Sequence, residues 1–241
     1  MQKIVIVLLS VILLTSCAEK KSDKNLHISG FIKGFKKGTL YIQRIKDTSL
    51  VVIDSIKIDG DSHFKSEINI DSPEMFYLFI DRGVTNSIDN NLPFFAEPGT
   101  INIESSLEFF TADAKITGSK NQELYDEYKK VASRYVDQNL DLIKKRFDAF
   151  KAKNTENVAK LQQEQDDVIK RKYLYTTNFA VNHADYDVAP YVVVAEISDI
   201  NLKYLDTIQK SMTPKIAKSL YGKKLTELIA ERKKLEKKSN G

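Results

Sequence analysis

Three places in the sequence bring together side chains that could do chemistry. Cys17, in Leu14-Thr15-Ser16-Cys17, is the only cysteine among 241 residues. A thiol can act as a nucleophile, pair in a disulfide or hold a metal, and each role needs a second group nearby. Asp59, Asp61 and His63 stand together in DGDSH, two carboxylates and an imidazole that a cation could use. His183, Asp185 and Asp187 repeat that combination in NHADYDVAP. A calcium loop, however, needs more oxygen ligands and a terminal Glu at fixed spacing, which Glu67 does not supply. Aspartate and glycine at a turn are explained by turn conformation. In the second cluster, His183 suits a helix C-terminus, and Asp187 suits the N-cap of a helix entered through Pro190. His27 has no partner near it in sequence. The expectation is no metal and no cofactor.

The segment around Cys17 assigns that residue a different role. Lys3 precedes an apolar run, Ile4 to Leu14, broken only by Ser10. A helix of that length reaches about 16 Å, roughly half of a hydrocarbon core, which fits a secretory signal better than a span. The run ends in an apolar residue, two small ones and cysteine, which resembles the lipobox of bacterial lipoproteins. The resemblance implies a signal peptide over 1–16, cleavage between Ser16 and Cys17, and a diacylglyceryl group on the Cys17 sulfur. Two acyl chains anchor a soluble domain durably. An alkylated sulfur would leave no thiol for catalysis, disulfide exchange or metal binding. Residues 17–25 then read as the lipidated cysteine and a short polar tether, and the expected partner is a membrane, reached through Cys17.

Composition narrows the classes further. The formal charge of +4 falls to +3 without residues 1–16, which hold one lysine and no acid. A nearly balanced, secreted chain argues against nucleic acid as a partner. Hydrophobic residues make up 42% of the chain, with 12 Phe and 11 Tyr, enough to build a core. Acid–base pairs are open to 33 carboxylates, but no spacing singles out two of them. Gly-x-Ser-x-Gly, His-Glu-x-x-His and a Gly-rich phosphate loop do not occur in the sequence.

The elements that would carry these residues fall into two halves. Over 26–117 the period is two: Phe64, Ser66, Ile68 and Ile70 share one strand face, and Ile101 and Ile103 another. Leu50, Val52, Ile56 and Ile58 are expected on one face, with Asp54 as a polar intruder. Met75 to Ile80 is apolar throughout, as in a central strand covered on both sides. Gly34 to Gly38 is expected to close one hairpin and Asp59-Gly60 to head another. Over 118–239 the period becomes helical. Ser119 and Gln122 can form a capping box, and Leu124, Tyr128, Val131, Tyr135 and Leu142 lead a stripe that drifts through Ile143, Phe147 and Phe150. Asn154-Thr155 can cap a second long helix, giving an antiparallel hairpin. Shorter helices are expected at Tyr191 to Glu196, Leu202 to Lys210 and Thr213 to Ser239, the last bent or split at Gly222. The fold class is therefore α+β: an antiparallel β-sandwich or small barrel, then a helical region with a long antiparallel hairpin. The aromatic stripe Tyr128, Tyr135, Phe147 and Phe150 is expected in the core. The basic stretch Gly222 to Lys238 is expected to pack its apolar side on the hairpin.

ISGFIKGFKKGTLYIQRI, IDSIKIDGDSHFKSEINIDSPEMFYLFID, FFAEPGTINI and ITGSKNQELYDEY resemble, in order and spacing, a β-rich domain of unknown function. That domain stands N-terminal to a thioredoxin-like module in Bacteroidetes-type thiol–disulfide interchange lipoproteins. NFAVNHADYDVAPYVVV and SLYGKKL resemble the helical stretch that follows the strands there. Where the family would continue into Trp-Cys-x-x-Cys, this sequence ends at Ser239-Asn240-Gly241, with no tryptophan and no second cysteine. Without a vicinal thiol pair no catalytic residue carries over. The expectation is a non-catalytic, lipid-anchored protein of the bacterial cell envelope, facing periplasm or cell surface, with the outer membrane favoured over the inner. It would bind a ligand or an envelope protein partner; the alternative is an accessory to a separate thioredoxin-like protein.

Overall fold

The computed structural model describes residues 23–83 and 87–239. Ser16, Cys17 and the expected signal peptide lie outside the described residues. Among the described residues eight strands are followed by six α-helices. The strands are β1 (Leu26–Lys33), β2 (Lys37–Lys46), β3 (Ser49–Asp59), β4 (His63–Ile68), β5 (Glu74–Asp81), β6 (Asn91–Ala96), β7 (Gly99–Ser106) and β8 (Lys115–Thr117). They form two four-stranded sheets, ordered β4-β1-β7-β8 and β3-β2-β5-β6. Ile28, Ile101 and Ile103 of the first sheet meet Leu40, Ile42, Phe76 and Phe94 of the second in one dry core. Asn25, at the end of the expected tether, is already part of the fold. Its side chain exchanges two hydrogen bonds with the Ile70 backbone, at 2.8 and 2.9 Å.

The strand periods are where the sequence placed them, but three details differ. Gly34 to Gly38 and Asp59-Gly60 do not close hairpins: each carries the chain from one sheet to the other, because β1 pairs with β4 and β2 with β3. Phe35, in the first of these links, plugs the core. One pair, β1 with β7, is parallel, since the whole second sheet intervenes between them as a crossover. On β3 a bulge skips Ile53, so that Ile42 faces Asp54 but Gln43 faces Val52. The extra residue flips the alternation, and Leu50 and Val52 are exposed at 47% and 52% instead of sharing the inner face with Ile56 and Ile58. Asp54 keeps its inner position by accepting a 2.5 Å hydrogen bond from Ser66 across the sandwich.

Helices α1 (Lys120–Lys151) and α2 (Thr155–Asn182) make the expected antiparallel hairpin. Ser119 accepts from the Gln122 N–H at 3.0 Å, and Asn154 from the Asn157 N–H at 3.0 Å, each capping its helix. The hairpin seam runs through Tyr128, Tyr135, Leu142 and Ala149 on α1, a strict seven-residue spacing that meets Leu161 and Val168 on α2. The expected drift of the stripe does not occur: Phe147 and Phe150 are exposed at 56% and 71%. A seven-residue repeat keeps its face toward a partner helix only if the pair coils, so the seam stays on Leu142 and Ala149 and leaves both phenylalanines outside.

Helices α3 (Val188–Glu196), α4 (Leu202–Ser211), α5 (Pro214–Ala217) and α6 (Leu220–Ser239) complete the chain. The stretch expected as one helix from Thr213 is broken at Lys218-Ser219 rather than at Gly222. Gly222 lies inside α6, against α5: a Cβ there would come within 1.9 Å of the Ile216 carbonyl oxygen. Its absent side chain lets the two helices turn on each other. Leu225 and Ile229 of α6 are buried with Val193, Leu205 and Ile208, so this helix packs chiefly on α3 and α4. Among the described residues no helix is long and apolar enough to cross a membrane.

Candidate functional site

The second sheet is covered on both sides. Its inner face closes the sandwich, and from its outer face Met75 and Phe95 project into a cluster with Leu124, Tyr128, Val192 and Tyr221. This joint also holds a set of buried polar groups. Gln122, fully buried, does not complete the expected capping box. Its Oε1 instead accepts the Phe95 N–H at 2.7 Å, and its Nε2 donates to Asp126 at 2.9 Å. Glu97, in the turn between β6 and β7, accepts from the Lys120 N–H at 2.5 Å and from the Asn121 side-chain amide. The Asn121 oxygen then accepts the Val188 N–H at 2.9 Å. From the far end of the chain, the Tyr221 hydroxyl accepts the Met75 N–H at 2.8 Å. Tyr191 stands edge-on to Phe95, Tyr125 and Tyr221, with ring centres 4.9 to 5.6 Å apart. Burial pushes the phenols of Tyr128, Tyr191 and Tyr221 upward, so they stay protonated at physiological pH.

A cleft of about 300 Å³ opens beside this joint, lined by Arg44, Ser72, Glu74, Lys218, Ser219 and Lys223 among others. Burial raises the Glu74 carboxyl above its usual range, opposed by Arg44, whose Nη1 lies 3.3 Å from Glu74 Oε1. The Ser72 hydroxyl accepts the Leu220 N–H at 3.4 Å, and no histidine lines the cleft. The arrangement suits recognition of a small charged group; it places no base against a nucleophile.

The residues singled out from sequence lie apart from this cleft. His63 donates its backbone N–H to Asp61 Oδ1, and its Nδ1 lies 2.7 Å from the same oxygen. That contact, made at the surface, holds the Asp61 carboxyl below its usual range. His27 lies beside Glu67 across the β1–β4 pair, at 3.4 Å, a neighbour supplied by strand pairing and not by sequence proximity. His183 caps α2 as expected, its Nδ1 2.9 Å from the Phe179 carbonyl. Asp187 holds the N-cap position of α3 but makes no side-chain cap: the Ala189 N–H goes to the Tyr186 carbonyl at 3.2 Å, and Pro190, next in the first turn, has no N–H to give. It is buried instead, with Oδ1 lacking a hydrogen-bond partner. Among the described residues no three His, Cys, Asp or Glu side chains converge as a metal would need.

Glu97, Asn121 and Tyr221 were not singled out from sequence, and Gln122 was read only as a capping-box residue. The available signal was weak: three consecutive polar residues at a helix start, where exposure is the ordinary outcome. Residues 26–125 match the family model for a domain of unknown function, DUF4369. The DUF4369 match is less than half of the 241 residues, and it spans every strand and the first turn of α1. It thus takes in Glu97, Asn121 and Gln122, the sheet side of the joint, while Asp187 and Tyr221 lie beyond it. No curated protein matches the chain.

Proposed function

We propose that this protein is a non-catalytic, lipid-anchored module of a bacterial cell envelope that acts by binding a partner or ligand. The observation that carries this reading is Cys17, the sole cysteine of the sequence, placed directly after Leu14-Thr15-Ser16 and an apolar run. The position of the fold supports it. Asn25 is clamped into the sandwich eight residues after Cys17. That stretch of chain reaches at most about 28 Å, enough to hold the sandwich near a bilayer surface. The polar side chains of the joint are spent on the protein's own backbone and on one another, which supports binding over catalysis.

The mass of the protein extracted from envelopes tests the anchor. A chain beginning at Cys17 and carrying a diacylglyceryl group is expected; an unmodified chain beginning at Met1 overturns the reading. Cys17→Ala should move the protein from the membrane to the soluble fraction. The DUF4369 match, together with the resemblance of the strands to the N-terminal part of thiol–disulfide interchange lipoproteins, favours a second reading: an accessory to a separate thioredoxin-like protein. Crosslinked pull-downs that recover the anchored protein without any redox partner would count against it.

A further inference from the structure

The face of α1 that the hairpin leaves open carries a second seam. Val136, Leu140, Ile143, Phe147 and Phe150 recur at intervals of four, three, four and three, the spacing of a helix that packs against another helix. They are one residue out of step with the seam that meets α2, which turns them about 100° around the helix axis. Their exposures are 43%, 56%, 39%, 56% and 71%. Together they present on the order of 400 Å² of apolar surface in one stripe, at the upper end of what a monomer leaves uncovered.

The charges beside the stripe indicate what covers it. Asp137 and Asp141 flank its N-terminal half, and Lys144 and Lys151 its C-terminal half; all four are exposed, and none forms an ion pair among the described residues. We propose that this stripe is a self-association surface, on which α1 of a second copy of the chain lies antiparallel. A two-fold axis passing between Asp141 and Leu142 sets Leu140 against Ile143 of the second copy and Val136 against its Phe147. The same operation brings Asp137 opposite Lys144 of the second copy, twice over. Phe150 falls over Ser133 of the second copy, a small residue that leaves room for the ring. A parallel pairing would instead set Arg146 beside Lys151 of the other copy, like against like. Two helical hairpins joined this way form a four-helix layer with an isologous interface. An anionic lipid surface suits the pairing less well, because Asp137, Asp141 and Asp148 run along the same stripe.

This inference does not depend on the anchor, whose failure is read separately at Cys17. The test is site-specific photocrosslinking of the full chain in its own envelope, with the probe at position 140, followed by sedimentation of the solubilised protein. The expected result is a crosslink to position 143 of another copy and a particle of twice the chain's mass. Phe147→Asp should raise the dissociation constant by about thirtyfold or more while leaving helicity unchanged. Asp137→Lys should weaken association, and adding Lys144→Asp should restore it. A crosslink only to lipid or to a different protein, a monomer at every concentration, or failure of the double charge reversal would each overturn the proposal.

Discussion

Asp187 shows that a residue can hold a capping position without capping its helix. It occupies a capping position, but the Ala189 N–H goes to the Tyr186 carbonyl and Pro190 has none to offer, so the carboxyl is left buried with one oxygen unpartnered. Burial raises its pKa above the usual 3.8; the Ser219 hydroxyl and Lys215 act against this, and Glu97 adds to it. The folded state therefore keeps a proton that the unfolded chain releases once pH passes about 4. Stability from this group is greatest at low pH, falls as pH rises through the raised folded pKa, and is level beyond it. Asp187→Asn should consequently stabilise the protein at pH 7, by about 1 kcal/mol, since it removes a buried charge that lacks a full set of partners. That gain should shrink toward pH 4. Urea unfolding of both proteins at the two pH values checks this; an equal effect at both would rule it out.

The hairpin poses the corresponding question for whole elements. Its register is set where Tyr128 and Thr176 meet, with their hydroxyls 2.9 Å apart. Counting outward from that contact puts Asn139 opposite Gln165, and both amide oxygens are buried without a partner. A polar layer inside an apolar seam costs stability and fixes the pairing of the helices. Replacing both residues together, Asn139→Leu with Gln165→Leu, should raise stability by about 1–3 kcal/mol, measured by urea unfolding. A loss would mean that the amides are satisfied and contribute to holding the hairpin. The hairpin itself was legible from helical spacing and from the capping residues Ser119 and Asn154. Which of two stripes on α1 would meet α2 was not legible. Tyr135–Leu142–Ala149 and Val136–Ile143–Phe150 have the same spacing, and the second is the more apolar. The first won because Leu124 and Tyr128, with Tyr175 and Phe179 of α2, line up with it and join the cluster on the sheet, while Val168 packs with Leu142 farther along the hairpin.

At the scale of the molecule, the second sheet is a shared wall. Phe76, Leu78 and Ile80 face the sandwich, and Met75 and Phe95 face the helices. Cutting the chain after Thr117 would bare that outer face and remove the acceptor of the Met75 N–H. A fragment of residues 23–117 should therefore bind hydrophobic dye and unfold at lower urea than residues 23–239. Cooperative unfolding of the fragment at the same midpoint, without dye binding, would show that the sandwich is self-sufficient.

What the sequence determined by itself was local: strand and helix periods, the change of period near Gly118, caps at Ser119, Asn154 and Thr213, and a cysteine set apart from every other reactive group. These follow from spacing along a chain, which short-range geometry dictates. What tertiary structure decided was every pairing across distance. β1 lies parallel to β7, the β3 bulge turns Leu50 and Val52 outward, Gln122 is taken from its capping box by Phe95, and Tyr221 meets Met75 from 146 residues away. Buried backbone N–H groups must find acceptors wherever the packed chain places one, and only the assembled fold specifies where that is.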